Sequence, residues 1–392
     1  MHRTVVLAGA SGFIGSYFKQ RFLADGWQVR TVGRDASADA QWNDDGAITK
    51  VLDGAELLVN LAGRSVNCRY DDRHRREILD SRVLTTRTLG RAVAACAEPP
   101  MTWINSSTGT IYRHAEDRPQ SEDSGDLGSG FSVDVARAWE EELAAADVPA
   151  TRKVPLRIAI VLGPGGGVMG PFRNLARLGL GGHMGPGTQK FSWIHVEDLF
   201  RTVAFIHRHG ELAGPVNAAS PYPVDNRELM SLVRQSMGVP FGIPTPAWLL
   251  EAGAVLIRTQ TELVLKSRWV EPRKLLDAGF VFDYPCLTGA LNQIAKPHTL
   301  SHLKGPSPKR SLTKPPLHPH ALSPNHPFTH TLSHQTTPSP TRSLTKPPLH
   351  PHALSPNHPF THTLSHQTTP SPKRSLTSLG GNREPGTLDR RR

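Results

Sequence analysis

An α/β fold built on a doubly wound parallel sheet is predicted by two observations. Short β-branched or aliphatic runs alternate with stretches of helical spacing, and a glycine-spaced turn, GASGFIG, joins the first such run to the first helix. Residues 4–8 (TVVLA) read as the first strand and residues 13–25 as an amphipathic helix, followed by strands over 28–32, 57–61 and 102–105. Residues 81–97 have helical spacing through Val83, Leu84, Leu89 and Val93, and 135–146 place Trp139 and Leu143 on one helical face. Strands separated by helices imply a parallel sheet with ligands at the carboxyl ends of its strands. From residue 179 the pattern becomes irregular and rich in Gly and Pro. It turns helical again over 226–237 and 246–257, which suits a smaller, mostly helical substrate lobe packed over the sheet edge. The expected organisation is a nucleotide-binding domain over 1–220, the lobe over 221–296 and a tail over 297–392.

The tail differs in composition from everything before it. It holds 18 of the 34 prolines and 12 of the 19 histidines, with Phe328 and Phe360 its only aromatics. The run SLTKPPLHPHALSPNHPFTHTLSHQTTPSP starts at Ser311 and again at Ser343, and a third copy opens at Ser375. Proline recurs too often for a helical solenoid and no apolar stripe exists to stack, so a disordered segment is expected. Near-identity of the copies points to a recent duplication of coding DNA. The tail reads as a passive extension, with weak metal capture by its histidines or attraction to polyanions as the functional alternatives.

The tail also accounts for the charge. Of the formal +11, residues 297–392 carry +10 through 12 Lys/Arg against 2 Asp/Glu, leaving +1 for residues 1–296. A nucleic-acid partner is therefore not expected of the folded part. No run of about 18 apolar residues exists to span a membrane, and no signal-peptide pattern precedes the first strand. Cys68, Cys96 and Cys286 are widely spaced with no metal-ligand pattern, which fits free thiols in a cytoplasmic setting.

Gly9, Ser11, Gly12, Phe13, Ile14 and Gly15 lie in the turn between the first strand and the first helix. Glycine permits the tight turn and a close backbone approach to a pyrophosphate, whose charge then faces the unpaired N–H groups of the helix N-terminus. This is the cofactor site of a Rossmann-type fold. The GxxGxxG spacing resembles that of the extended short-chain dehydrogenase/reductases. In their NAD-binding members an acidic residue ends the second strand, whereas here the position reads Gly33-Arg34. A guanidinium in place of a carboxylate favours a 2′-phosphate, so NADP(H) is the expected cofactor, with Asp35 as the competing ribose ligand. Leu61, Ala62 and Gly63, following Asn60, resemble the superfamily's element that passes close to adenine and ribose.

Further segments narrow the resemblance. They are Ser81-Arg82-Val83 with Thr85 and Thr86, Asn105 to Tyr112 (NSSTGTIY), Trp139-Glu140, Leu156-Arg157, the glycines at 163, 165, 166 and 167, GPGTQ from Gly185, WIHVED from Trp193, and GFVF from Gly279. Together they identify residues 1 to about 295 as resembling the YfcH-like epimerase family of atypical extended short-chain dehydrogenase/reductases, whose members end in a small domain of unknown function.

The resemblance implies a YxxxK pair in which tyrosine exchanges a proton with the substrate oxygen and lysine supports it. Here those positions fall on Phe131 and Val135. The resemblance leaves Ser107 or Thr108 as the group that binds substrate oxygen, and Tyr112 as the nearest phenol to act as acid or else to pack over the pocket. Arg157 is assigned to the cofactor or an anionic substrate, as is Arg82, with ion pairing the alternative for both. His114 reads as a surface group, His195 and Asp198 as structural, Trp193 as a pocket wall, and residues 163–167 as a flexible lip. Two functions follow: an oxidoreductase or epimerase-like enzyme acting on a small molecule, or a silent NADP(H)-binding sensor.

Overall fold

The computed structural model of the protein describes residues 3–246 and 266–295. Most of the helix expected over 246–257 and the whole tail 297–392 lie outside the described residues. Within them a seven-stranded sheet is built from β1 (Thr4–Ala8), β2 (Gln28–Gly33), β3 (Ala40–Gln41), β4 (Leu57–Asn60), β5 (Thr102–Thr108), β6 (Arg152–Ile158) and β10 (Val216–Ala218). Its order is β10-β6-β5-β4-β1-β2-β3 and every pairing is parallel. The chain runs outward from β1 to β2 and β3, then crosses back to β4 and continues the other way. The reversal between β1 and β4 opens the crevice in which doubly wound folds bind ligands.

The central strands β1 and β4 are buried along their whole length, with apolar side chains on both faces, so the sheet separates two cores. Val5, Leu7, Leu57 and Val59 meet Phe18 and Phe22 of α1 (Phe13–Ala24) and Phe200 of α6 (Val196–Arg208). Their neighbours Val6, Ala8 and Leu58 meet Ile48 of α2 (Asp45–Leu52), Leu89 of α3 (Asp72–Ala94) and Leu143 of α4 (Phe131–Ala145). Alternation of side chains along a strand, with helices on both sides, makes the residues of β1 and β4 core residues on either face.

A third core lies beyond the sheet. The short strands β7 (Ile160–Leu162), β8 (Lys190–Phe191), β9 (Trp193–His195) and β11 (Val224–Asp225) frame it, together with α5 (Met169–Arg177), α7 (Asn226–Gln235) and α9 (Leu287–Ala295). The short α8 (Arg273–Asp277) places Leu275 in the first core instead.

Several boundaries differ from the sequence reading: α4 begins at Phe131, four residues before the predicted start, and β5 continues to Thr108, three residues past the predicted end. Helix α3 begins at Asp72, nine residues before the predicted start, because Asp71 caps it by accepting from the His74 N–H at 2.8 Å. Its first turns are charged and largely exposed, so no apolar stripe announced them. The WIHVED segment is half strand and half helix: it leaves β9 at His195, whose ring accepts from the Glu197 N–H as the cap of α6.

Candidate functional site

The glycine turn is shaped by backbone contact. Gly9 has φ +83°, and a Cβ there would lie 2.9 Å from the Leu61 carbonyl group and the Ala62 nitrogen. A Cβ on Gly15 would overlap the Gly9 carbonyl oxygen. The Gly12 cap of α1 contributes no side-chain hydrogen bond, which leaves the helix's first N–H groups to face the crevice. Ser11 and Gly12 are exposed at its mouth. Ile14 lines the cavity below, while Phe13 packs against residues 163–167: a Cβ on Gly166 would overlap its ring. Gly163 and Gly166 are thus packed on the turn, while Gly165 at the tip of the expected lip is exposed with open space around it.

Arg34 is exposed at the end of β2 and has no ion pair among the described residues. Asp35 beside it is exposed too. Asp39 is engaged elsewhere, accepting from the Thr31 N–H at 2.8 Å and the Thr31 hydroxyl at 2.7 Å. The residues present therefore fit a dinucleotide phosphate chain, with a cation where a 2′-phosphate would sit.

On the neighbouring strand, the Ala62 N–H donates to Asn60 Oδ1 at 3.0 Å, and Asn60 Nδ2 donates to Asn105 Oδ1 at 2.7 Å. Thr86 receives the Trp139 indole N–H at 3.0 Å. This buried network ties the ends of β4 and β5 to α3 and α4, fixing the Leu61-Ala62-Gly63 turn.

A cavity of about 280 Å³ joins Ile14 and Leu61 to Ser107, Thr108 and Thr110 at the end of β5. Ser107 donates its proton to Glu140 Oε1 at 2.6 Å. Thr108 donates to Thr110 Oγ1 at 2.9 Å, which leaves the Thr110 hydroxyl proton for the cavity, a donor the sequence reading missed. Phe131 and Val135 line the same space, so the positions of the YxxxK pair are filled by groups that transfer no proton.

Tyr112 and Arg157 are placed differently from expectation. Tyr112 is 1% exposed and does not line the cavity; its hydroxyl donates to Asn217 Oδ1 at 2.9 Å and accepts from Arg157 Nη1 at 2.9 Å. Burial raises its pKa above the usual phenol value, with the Arg157 charge and the hydrogen bonds opposing, so a proton-donor role is corrected to a structural one. Arg157 forms a two-point pair with Glu140, Nε to Oε1 at 2.8 Å and Nη2 to Oε2 at 2.7 Å. Burial disfavours its charge, but the Glu140 carboxylate prevails and holds its pKa above the usual guanidinium value. Three of its five donors are engaged by Glu140 and Tyr112 and it does not line the cavity, so the expected cofactor contact is corrected.

Arg82 resolves the other way. Its guanidinium donates to the carbonyls of Ile78 (2.9 Å) and Arg64 (3.1 Å) and lies 5.1 Å from the Trp139 ring centroid. It lines the cavity and has no carboxylate within ion-pair distance among the described residues. Burial pushes its pKa down to about 10. Tyr70, absent from the sequence reading, enters the same cavity from the segment between β4 and α3, its ring edge-on to Phe131 with centroids 5.1 Å apart.

Asp198 accepts from the Asp283 and Tyr284 N–H groups at 2.8 Å, and His195 Nε2 lies 3.0 Å from Gln293 Oε1. His114, exposed, accepts from the Ser267 N–H at 3.1 Å. Trp193 is fully buried in the third core and walls no cavity at this site.

A reversed sheet order with a glycine-cradled helix terminus at the switch point and a hydroxyl-bearing strand end facing it defines the short-chain dehydrogenase/reductase class of nucleotide-binding folds. Residues 5–219 match the NAD dependent epimerase/dehydratase family and residues 245–294 match a domain of unknown function, DUF1731. The chain belongs to this epimerase family, as its sequence resemblance implied. It is similar to the epimerase family protein SDR39U1 of Bos taurus, at 33% identity over 297 residues that cover 74% of this chain and 99% of the relative. It is likewise similar to the epimerase family protein YfhF of Bacillus subtilis (strain 168), at 28% identity over 301 residues covering 74% and 97%. Among solved structures, human SDR39U1 (isoform 2) with NADPH superposes with a TM-score of 0.69 at 30% identity, covering 74% of this chain and 99% of that one.

Proposed function

We propose that the protein is an NADP(H)-dependent oxidoreductase of the atypical extended type, acting on a small carbonyl or alcohol, or catalysing an epimerase-like variant of that chemistry. The observation that carries the reading is the single cavity that joins the glycine turn to the hydroxyl groups at the end of β5. The backbone at Gly9, Gly12 and Gly15 would hold the pyrophosphate, Arg34 the 2′-phosphate, and the turn Leu61-Ala62-Gly63 the ribose side. The similar human structure with NADPH supports the choice of cofactor. NADP(H) bound there supplies or accepts a hydride. The chain's own part is to hold the substrate oxygen with Thr110 and Thr108 and to exclude water with Phe131, Val135, Trp139 and Ile78. The three cysteines are unbridged, consistent with a reducing compartment, and we place the protein in the cytoplasm.

The test is a titration of the full chain with NADPH, followed by stopped-flow NADPH oxidation across a panel of small aldehydes, ketones and keto acids. Binding with oxidation by one substrate class is expected, and absence of NADPH binding would refute the reading. A second reading, a silent NADP(H)-binding sensor, is favoured by Phe131 and Val135 lining the cavity. Tight binding with no oxidation by any carbonyl would establish it in preference.

A further inference from the structure

The phenol and cation missing from one wall of the cavity have counterparts on the other. Phe131 and Val135 leave α4 without either group, and every α4 residue that lines the cavity is uncharged. Across the space, Tyr70 precedes α3 and Arg82 lies within it. The Tyr70 ring contacts the Phe131 ring edge-on, so a phenol lies against the ring that stands in the tyrosine position. The Arg82 guanidinium lies over Trp139, one helical turn beyond Val135, so a cation runs along the face of α4 where the lysine is absent. Two of its five N–H donors serve backbone carbonyls and none meets a carboxylate among the described residues.

Resting on the oxidoreductase reading, we infer that Tyr70 is the acid–base residue of the cavity and Arg82 the positioning cation that supports its phenolate, a pair rebuilt on the α3 wall. During reduction a hydride joins the carbonyl carbon with its two electrons, and the C=O π pair moves to oxygen. The Tyr70 hydroxyl proton passes to that oxygen, and water reprotonates the phenolate; alcohol oxidation is the reverse. A guanidinium in a partly desolvated cavity favours the anionic form of a nearby phenol. Other charged groups near Tyr70 include Arg75, whose Nε donates to the Tyr70 carbonyl at 3.0 Å and whose guanidinium lies 4.8 Å from the Phe131 ring centroid, and the Asp71–His74 pair at the start of α3, 2.8 Å apart. From β5 and the turn after it, the cavity receives Ser106, Ser107, Thr108 and Thr110, all uncharged.

The experiment is a pH titration of the full chain labelled with 13Cζ-tyrosine, with NADPH binding measured in parallel on each sample. Burial holds Tyr17, Tyr112 and Tyr284 above the ordinary phenol value, so a low-titrating resonance stands apart from them. One resonance, absent in Tyr70→Phe, is expected to titrate at least about one pH unit below the ordinary phenol value near 10. Arg82→Met should move it up by about a unit and Arg82→Lys should restore part of the shift. If NADPH binds but Tyr70 titrates at or above the ordinary value, or is unmoved by Arg82→Met, this inference fails alone. If NADPH does not bind the wild-type chain, the oxidoreductase reading fails instead.

Discussion

On the β1 side of the crevice, shape is set by backbone and by missing side chains: Gly9 and Gly15 leave no room for a Cβ, and the Gly12 cap of α1 has no side chain to accept from the helix's first N–H groups. On the β5 and α4 side, side chains form a closed circuit from Ser107 through Glu140 and Arg157 to Tyr112 and Asn217. The first wall keeps its donors available for a phosphate. The second engages Ser107, Arg157 and Tyr112 internally and leaves the Thr110 hydroxyl to the cavity, so a polar residue at the carboxyl end of a sheet is not thereby a ligand. The two arginines make the same point at shorter range: Arg157 is paired with Glu140, whereas Arg82 faces the cavity with no carboxylate in ion-pair distance among the described residues.

The largest expected effect breaks the closed wall. Glu140→Ala leaves the Arg157 charge buried and uncompensated, and should cost about 3–5 kcal/mol of stability in urea denaturation. The double variant Glu140→Leu/Arg157→Met should recover most of that loss, because removing both charges removes the desolvation cost with them. The open wall is tested by Gly15→Val. Its side chain would meet the Gly9 carbonyl, and NADPH affinity in a fluorescence titration should fall at least about 100-fold, or about 2.7 kcal/mol.

Tyr112→Phe sharpens the contrast further. Losing a hydroxyl that joins Arg157 to Asn217 should lower stability by about 1–2 kcal/mol, because both partners stay buried. NADPH binding should be unchanged. Had Tyr112 been the proton donor, the opposite pattern would appear, with stability intact and turnover lost.

The nucleotide half of the site was legible because its physics is local. Glycine at three spaced positions between a β-branched run and a helix announces a turn, a close approach and a helix terminus within seven residues. The missing YxxxK pair was legible for the same reason, as Phe131 and Val135 lie one turn apart on a single helix. The polar circuit was not, since Glu140 reaches Ser107 across 33 residues and Arg157 across 17. Arg82 and Arg157 look alike in sequence, and only packing decides which one finds a carboxylate. Tyr70 gave no signal, since the segment after β4 has neither helical nor strand periodicity.

The smallest effect lies away from the crevice. Burial holds His207 below the ordinary imidazole value of 6.5, against Glu56, so the unfolded chain binds a proton that the folded chain resists. Its contribution to stability is fully present above about pH 6.5 and is lost as pH falls toward the depressed value. Chemical denaturation across that window should show a slope that His207→Gln flattens.

What occupies the open wall is decided by one binding measurement. NADPH and NADH are titrated separately into the wild-type chain and into Arg34→Glu. The account predicts tighter NADPH binding in the wild type and loss of that preference in the variant. Equal affinities in the wild type, or a preference that survives Arg34→Glu, would contradict it.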